Sequence, residues 1–439
     1  MSFNTPVKVI GAGLAGCEAA LQIAGRGIPV ALYEQKPAQY SPAHHYPGFA
    51  ELVCSNSLKA DRLESAAGLL KEEMRQFGSV VCQAARATQV PAGGALAVDR
   101  EQFSDYITRR VRAHPYITVR EEEVTSIDPD EIAVVATGPL TSDRLSAAIG
   151  ALLGEEYLSF FDAAAPIVAA DSLDYSRVFA AARYGRGDAD YLNCPMNKPE
   201  YEAFVQALLT AERAPQHDFD GRQVYEGCMP VEVMAARGPD TLRFGPLKPV
   251  GLRDPATGHR PWAVVQLRKE NRAGTLYNLV GFQTNLKFGE QKRVFSLIPG
   301  LQSARFMRYG VMHRNTFLNA PKLLGPTLNL RAYPKVFFAG QITGTEGYIE
   351  SAAGGILAGQ NAARLAAGQP LLTLPRDTML GALVGYISDP YTSDFQPMGS
   401  NMGVLPPLAE RIKGKKERYL ALAQKALDSL HRYLYQNGW

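Results

Sequence analysis

Short apolar runs and glycine-rich turns alternate over the first 36 residues of the chain. Val7–Ile10 is apolar and predicts a strand, Glu18–Ala24 is rich in helix formers, and Ile28–Tyr33 predicts a second strand. A strand, turn, helix and strand in this order are typical of the first unit of a parallel α/β sheet.

Later apolar runs extend the same sheet. A segment with a different pattern of polar and apolar residues separates them. Ile132–Ala136 and Lys335–Ala339 predict further strands, and Gln360–Ala367 predicts a helix. Within residues 183–305, Trp262–Leu267 and Leu276–Phe282 alternate between polar and apolar positions, as antiparallel strands do. We therefore predict an α/β fold. A discontinuous Rossmann-type domain (residues 1–182 and 306–439) would carry an inserted α+β domain (183–305).

The last 30 residues predict one amphipathic helix, because leucine and alanine recur there at steps of three and four. The predicted buried stripe consists of Leu420, Ala423, Leu427, Leu430 and Leu434.

Composition narrows the class of protein. The chain has 439 residues, a net charge of +3 and 46% hydrophobic residues, which suits two or three folded domains and argues against disorder. A charge this small disfavours a bulk electrostatic binder of nucleic acid. No apolar run approaches the ~18 residues of a membrane helix, and we expect no secretion signal. Five widely spaced cysteines predict neither a disulfide framework nor a metal site, so we expect a cytoplasmic protein.

A complete G-x-G-x-x-G follows the first predicted strand, and an acidic residue ends the second strand, as in dinucleotide-binding folds. Its glycines allow the tight turn, the approach of a pyrophosphate and close helix packing, while the helix N-terminus attracts the phosphates. Glu34 is spaced to bind a ribose hydroxyl. The predicted cofactor-binding residues here are Gly11, Ala12, Gly13, Leu14, Ala15, Gly16 and Glu34.

Two later elements favour FAD over NAD as the bound dinucleotide. Ala136–Gly138 ends a predicted strand, as the "ATG" element of two-dinucleotide flavoproteins does, and adds Gly138 to the predicted site. Gly340 and Gln341 end another strand, where such flavoproteins bind the flavin's phosphate. Most of them have aspartate at the position of Gln341, but the glycine-rich helix start at Ser351–Gly355 again suits a phosphate.

Two cysteines have sequence surroundings that suit a reactive thiol. Cys54 lies where an apolar segment gives way to small polar residues near Lys59, and Cys228 lies between a glycine and a proline, as in an exposed turn. A lowered thiol pKa would make either one a nucleophile, and a packed, unreactive thiol is the alternative. Cys17, Cys82 and Cys194 are interpreted as packing residues.

Six stretches resemble the folate-dependent, flavin-containing tRNA (uracil-5-)-methyltransferases. They run from residue 9 to residue 355 and read VIGAGLAGCEAA, ELVCSNSLK, VYEGCMPVE, LYNLVGFQTNLKFGEQKRVF, RYGVMHRNTFLNAP and FFAGQITGTEGYIESAAGG. That family also carries glutamine at the position of Gln341. The resemblance implies methylation of carbon 5 of the T-loop uridine of tRNA. Methylenetetrahydrofolate would donate the carbon, and FAD reduced by NADH or NADPH would supply the hydride.

The resemblance also implies roles for individual residues. Cys54 matches the proposed nucleophile, which attacks carbon 6 of uracil, and Cys228 matches a second functional cysteine that removes the carbon-5 proton or assists release. His313 is the histidine we expect to stack on the folate's pterin ring, and Tyr348 is expected to lie over the flavin. Which cysteine performs which step stays open at this point.

Contacts with tRNA would need local positive charge, because phosphate neutralisation drives much of the affinity for RNA. Residues 400–439 carry seven basic and three acidic residues. A second basic cluster interleaves with aromatic residues that suit unstacked bases. That cluster consists of Lys287, Lys292, Arg293, Arg305, Arg308 and Arg314, around Phe288, Phe295, Phe306 and Tyr309. A solvated charged face is the alternative for both.

Two other functions remain possible from the residues. One is the related, longer flavoprotein family that builds aminomethyl groups on wobble uridine, and the other is a flavin oxidoreductase for a small molecule. We predict neither a membrane segment nor a protein partner.

Overall fold

The computed structural model describes residues 5–41, 43–154, 158–185, 188–214, 229–393 and 395–438, without the side chains of residues 158–163 and 313–314. The described strands are β1 (Val7–Ile10), β2 (Val30–Tyr33), β3 (Ser57–Ala60), β4 (Gln89–Val90), β5 (Ala95–Val98), β6 (Ile117–Arg120), β7 (Ala133–Val135), β8 (Leu158–Ala163), β9 (Ile167–Ala169), β10 (Phe179–Ala180), β11 (Tyr191–Met196), β12 (Ala263–Lys269), β13 (Leu276–Leu279), β14 (Phe306–Arg308), β15 (Met312–Phe317) and β16 (Val336–Phe338). The described helices are α1 (Leu14–Ala24), α2 (Ala66–Gln76), α3 (Val80–Ala87), α4 (Arg100–Arg112), α5 (Asp143–Leu153), α6 (Lys198–Thr210), α7 (Val231–Ala236), α8 (Thr241–Phe244), α9 (Phe288–Phe295), α10 (Ala320–Leu323), α11 (Tyr348–Ala366), α12 (Met379–Ile387) and α13 (Lys415–Gln436).

A five-stranded parallel sheet forms the centre of the first core. Its strand order is β16-β7-β1-β2-β6, so the strands predicted at 7–10, 28–33, 132–136 and 335–339 are confirmed as neighbours in one sheet. Parallel strands are buried on both faces, which explains their nearly continuous apolar sequences. The predicted Rossmann-type α/β class is therefore confirmed.

Helices α1 and α11 pack with their backbones in contact. A Cβ atom added at Gly355 would lie 2.2 Å from the carbonyl oxygen of Ala15, and one added at Gly359 would lie 2.6 Å from the Cα of Ala19. The helix predicted at Gln360–Ala367 is the C-terminal part of α11, which begins at Tyr348, three residues before the glycine-rich helix start predicted at Ser351–Gly355. These glycines form the contact surface of the helix.

A second core lies on one face of a six-stranded antiparallel sheet with the order β10-β11-β12-β13-β9-β14. The strands predicted around 262–267 and 276–282 are confirmed as the antiparallel pair β12 and β13. The sheet also takes in β9 before residue 183 and β14 after residue 305. The domain boundaries at 182/183 and 305/306 stay a prediction.

Helix α13 confirms the predicted C-terminal amphipathic helix, but its buried stripe is rotated. Leu422, Ala423, Ala426, Leu430 and Leu434 are buried, whereas Leu420 is 45% exposed. The packing of α13 against α2 selects that face. No helix in the described part of the chain has both the length and the apolar character needed to cross a membrane.

Substituting Gly355→Ala should destabilise the fold by about 1–3 kcal/mol, since the added methyl group forces two backbones apart. Urea unfolding followed by circular dichroism measures this. Gly150→Ala is the matched control, because Gly150 lies inside helix α5 with no atom within 4 Å of an added Cβ. In the control, the free energy of unfolding should rise by about 0.5–1 kcal/mol. Equal effects of the two substitutions would contradict the packing argument.

Candidate active site

One cleft lies at the carboxyl ends of the parallel strands. Ligands of open α/β sheets bind at this edge. The predicted site residues that line it are Gly11, Ala12, Gly13, Leu14, Ala15, Glu34, Cys54, Gly138, Gly340, Gln341 and Tyr348. Residues that span more than 300 positions of the sequence thus meet around one cavity.

The turn after β1 has the backbone that a bound pyrophosphate requires. Gly11 adopts a φ of +98°, and a Cβ there would lie 2.7 Å from the carbonyl oxygen of Ala136. Gly16 does not line the cleft, because it packs against the backbone of Gly11. A Cβ atom added at Gly16 would lie 1.8 Å from the carbonyl oxygen of Gly11. A Cβ at Gly13 would meet no atom within 4 Å, so the space beside the start of α1 is open to a phosphate.

Glu34 closes the cleft at the end of β2. Its Oε2 accepts a hydrogen bond from the backbone N–H of Ala12 at 2.9 Å, and Oε1 accepts one from the N–H of Lys36 at 3.0 Å. Each carboxylate oxygen keeps a lone pair for a ribose hydroxyl. The open phosphate turn and this carboxylate together fit the adenosine diphosphate half of FAD.

The late glycine element packs directly on the phosphate turn. Gly340 adopts a φ of +84°, and a Cβ there would lie 2.9 Å from that of Ala15. Gln341 donates from Nε2 to Glu346 Oε2 at 2.8 Å, and α11 then begins at Tyr348. The start of a second helix therefore faces the same cavity as the start of α1, as the flavin half of FAD requires.

Cys54 and Tyr348 are hydrogen-bonded, although 294 residues separate them in sequence. Tyr348 Oη accepts from the backbone N–H of Cys54 at 2.8 Å and from that of Ser55 at 3.3 Å, and it lies 3.0 Å from Cys54 Sγ. Burial raises the pKa of Tyr348 well above its usual value, so the phenol keeps its proton. Because the phenol oxygen already accepts two N–H groups, its own proton is available to Sγ. The pair can therefore stabilise a thiolate.

Arg100 holds the chain just before the thiol. Its Nη1 donates to the carbonyls of Leu52 at 2.5 Å and Val53 at 2.9 Å, and its Nε donates to Glu270 Oε2 at 2.6 Å. Burial alone would lower the pKa of Arg100, but Glu270 outweighs it and the net shift is upward. Arg100 therefore stays charged and, as an ion pair with Glu270, holds the backbone that leads into Cys54.

Arg268 holds the chain just after the thiol. It donates from Nε to Asn56 Oδ1 and from Nη2 to Ser55 Oγ, both at 2.9 Å. The Asn56 amide in turn donates to the carbonyl of Lys269 at 2.9 Å. The Cys54 loop is thus fastened to strand β12 of the second sheet.

The predicted contribution of Lys59 to the thiol is replaced by these arginines. Lys59 Nζ bonds Glu350 Oε1 at 2.6 Å and the carbonyl of Glu346 at 3.4 Å, so its charge is neutralised by a buried carboxylate. Sequence proximity to Cys54 was misleading, because Lys59 is turned toward the first turn of α11.

The other described cysteines are placed as packing residues. Cys17, Cys82 and Cys194 are buried. Burial raises the pKa of all three thiols, to about 11 for Cys82. These three thiols are therefore protonated at neutral pH and closed off from the cleft, whereas Cys54 is only partly buried and lines it.

Two predicted site residues lie outside the described structure. Cys228 falls in residues 215–228, and the side chain of His313 is not described, although its backbone lies on β15 opposite Asp162. Their roles stay predictions.

The fold and the cleft define a class, the FAD-binding flavoproteins with a Rossmann-type domain, and here the cleft carries a thiol. The family profile described as Glucose inhibited division protein A matches residues 6–370. A protein of Moorella thermoacetica named methylenetetrahydrofolate--tRNA-(uracil-5-)-methyltransferase TrmFO is 62% identical over 422 residues, covering 96% of this chain and 97% of that protein. The protein of the same name from Geobacter sulfurreducens is 59% identical, with 98% of each chain covered.

The chain therefore belongs to the Glucose inhibited division protein A family and, within it, groups with the folate-dependent tRNA (uracil-5-)-methyltransferases. Among solved structures, GidA of Aquifex aeolicus superposes with a TM-score of 0.70 at 17% identity, over 98% of this chain and 76% of that one. This likeness supports the fold alone.

Sequence reasoning missed the two arginines that hold the Cys54 loop. Arg100 and Arg268 lie in unremarkable polar segments, 46 and 214 residues from Cys54. Only the alternating pattern around Arg268 gave a signal, since a charged residue in a buried strand needs a partner.

Removing the hydroxyl with Tyr348→Phe should slow alkylation of Cys54 by iodoacetamide about 10-fold at pH 7, because a hydrogen bond to a charged group is worth about 1.5–3 kcal/mol. Mass spectrometry of the Cys54 peptide over time measures the rate. Tyr201→Phe is the control, since that hydroxyl donates to the carbonyl of Pro239 within the second core. An unchanged Cys54 rate in Tyr348→Phe would show that the phenol does not activate the thiol.

Proposed function

We propose that this chain methylates carbon 5 of the T-loop uridine of tRNA, taking the carbon from methylenetetrahydrofolate. The observation that carries the proposal is the Cys54–Tyr348 pair, which opens into the same cleft as the dinucleotide elements. The relatives at 58–62% identity carry the corresponding name. A wobble-uridine flavoprotein or a small-molecule oxidoreductase is not favoured by these relatives.

FAD is held in this proposal by the phosphate turn, Glu34 and the late glycine element. Gly11 to Ala15 would face the pyrophosphate, with Gly16 packed behind them, Glu34 would face the ribose, and Gly138, Gly340 and Gln341 the flavin half. Tyr348, at the start of α11, would lie over the flavin, and His313 would stack on the pterin. When bound and reduced by NADH or NADPH, FAD supplies the hydride that converts a methylene into a methyl group.

Cys54 is the nucleophile in this scheme. Its Sγ adds to carbon 6 of uracil, which makes carbon 5 nucleophilic toward the one-carbon unit. Tyr348 Oη donates a hydrogen bond to Sγ, which favours the thiolate both before attack and when it leaves afterwards. Arg100 and Arg268 keep the loop rigid during both steps, and Cys228 removes the proton from carbon 5.

The second basic cluster contributes to tRNA binding through its rings more than through its charges. Lys287, Arg293 and Arg305 are paired with Glu212, Glu290 and Asp171. Phe295, which was predicted to contact bases, is fully buried in the second core.

Three other rings of this cluster form a continuous stack. The Tyr309 ring lies 4.8 Å from that of Phe288 and 5.4 Å from that of Phe306, at angles of 15° and 7°. Phe288 is 55% exposed and ends the stack. An unstacked base of the T-loop can continue the stack on the free face of Phe288.

The C-terminal basic residues offer the complementary phosphate contacts. Arg411, Lys413, Lys415, Lys416, Arg418, Lys425 and Arg432 are all exposed. We propose that the protein works in the cytoplasm, where its thiols stay reduced.

The decisive experiment supplies unmodified tRNA, NADPH and methylenetetrahydrofolate labelled in the methylene carbon. The protein should bind FAD, seen in its absorbance, and place label in 5-methyluridine. Cys54→Ala should retain FAD and lose the label, because no other described thiol faces the cleft. The control Cys82→Ala should keep full activity. Bound FAD with NADPH oxidation but no labelled RNA in the unaltered protein would instead indicate a small-molecule oxidoreductase.

Phe288→Ala should raise the Kd for a T-arm RNA hairpin about 5-fold or more, since stacking on an aromatic ring is worth about 1–3 kcal/mol per base. Fluorescence anisotropy with a labelled hairpin measures the Kd, and Phe288→Trp should restore it. The control is Tyr391→Ala, which removes a ring that is 93% exposed and outside the stack. Equal affinities for Phe288→Ala and the unaltered protein would show that the stack serves packing alone.

A further inference from the structure

One row of residues crosses the second sheet on the face opposite its core. Arg268 on β12 pairs with Asn278 on β13, Asn278 pairs with Ile167 on β9, and Ile167 pairs with Arg308 on β14. Directly paired residues of antiparallel strands point to the same face. The neighbouring row through Tyr277 and Val168 belongs to the core, so the row from Arg268 to Arg308 faces the Cys54 loop instead.

The donors of this row divide into two kinds. Arg268 is satisfied by Ser55 and Asn56. Asn278 is only 3% exposed, and its Nδ2 is buried with no acceptor among the described residues. The same holds for Nε and Nη2 of Arg308 within the described part of the chain. Buried donors without acceptors are costly, so two such side chains in one row point to a bound ligand as the acceptor.

Arg308 is fixed in place rather than loosely packed. Gly310, two residues on, donates to Gln291 Oε1 at 2.8 Å and accepts from Gln291 Nε2 at 2.7 Å. Burial and then the charge of Arg100 lower the pKa of Arg308, whereas Tyr348, Glu51 and Cys54 raise it. The guanidinium therefore lies within electrostatic reach of the Cys54–Tyr348 pair.

The position of the row also indicates what it binds. Neither Asn278 nor Arg308 lines the cleft that holds the dinucleotide elements. Asn278 lies one strand spacing, about 5 Å, from the arginine that holds the Cys54 loop, and Arg308 lies about 14 Å from it. A base attacked by Sγ must come within about 3–3.5 Å of it, between the cleft and this row.

We propose that Asn278 and Arg308 bind the carbonyl oxygens of the target uracil, with Arg308 donating to O4. This inference rests on the proposed function. When the Cys54 thiolate, its proton already lost to solvent, forms the Sγ–C6 bond, the C5=C6 electron pair becomes a C4=C5 bond. The carbonyl electron pair moves onto O4, which becomes negatively charged. A fixed cation beside O4 therefore stabilises the transition state of the attack more than it stabilises the unreacted base.

The test measures the covalent adduct between Cys54 and a T-arm hairpin with 5-fluorouridine at the target position. Arg308→Met should slow adduct formation about 10²-fold, the usual effect of losing one oxyanion donor. Asn278→Leu should also slow it, and Arg308→Lys should recover part of the rate. FAD absorbance and the Kd of the hairpin should change less than about 3-fold, because phosphates dominate RNA affinity.

Arg183→Met is the matched control. Arg183 is also partly buried with a pKa lowered by burial, but its described acceptors are Gln266 Oε1, two residues along β12 from Arg268, and the carbonyl of Val250, neither of which belongs to the row. It should leave the adduct rate unchanged. If Arg308→Met does not fold, Arg308→Lys and Asn278→Leu decide the question.

Two outcomes overturn the inference. One is an unchanged adduct rate in Arg308→Met and Asn278→Leu, and the other is loss of FAD or of methyl transfer with a normal adduct rate, which assigns the donors to the cofactors. The proposed function fails separately, if the unaltered protein forms neither adduct nor 5-methyluridine.

Discussion

The backbone contact between helices α1 and α11 is the constraint on which the rest of the site depends. Gly355 and Gly359 let α11 rest on Ala15 and Ala19 without intervening side chains. This contact brings the N-terminus of α11 beside that of α1, so both helix starts face one cleft. It also sets the position of Tyr348, the first residue of α11, and so determines which hydroxyl meets the thiol of Cys54.

A second constraint comes from the other sheet. The loop that carries Cys54 has little regular structure of its own. Hydrogen bonds to Arg100, Arg268 and the Lys269 carbonyl hold it in place. Two of these three belong to strand β12 of the antiparallel sheet. The reactive thiol is thus positioned by both cores at once. A substrate between the two cores meets cofactor elements on one side and the face of the antiparallel sheet on the other.

Sequence analysis predicted the features that depend on local pattern. The strands of the parallel sheet, the phosphate turn and Glu34 follow from apolar runs and fixed spacings within 30 residues. The continuity of α11 was misjudged, because a glycine-rich passage was placed before the helix predicted at Gln360–Ala367. Glycines that allow helix contact look the same in sequence as glycines in a loop. Lys59 was misjudged because closeness in sequence does not fix the direction of a side chain. The row from Arg268 to Arg308 depends on strand register and a bulge in β14, which no local pattern encodes.

Buried polar groups that already have hydrogen-bond partners within the protein serve the structure. Buried groups without such partners are candidates for binding a ligand. Arg100, Arg268 and Arg308 all lie near Cys54, and composition alone would treat them alike. Arg100 and Arg268 donate hydrogen bonds to carbonyls and side chains of the protein itself, so substituting either one would loosen the Cys54 loop. Arg308 has two buried donors that no described residue satisfies, and an unsatisfied buried donor is costly. An apolar residue of similar size would be more stable at that position unless an acceptor arrives. In the proposed scheme the acceptor O4 gains negative charge beside the thiol, and a charged acceptor offsets more of the cost of burying a cation than a neutral carbonyl does.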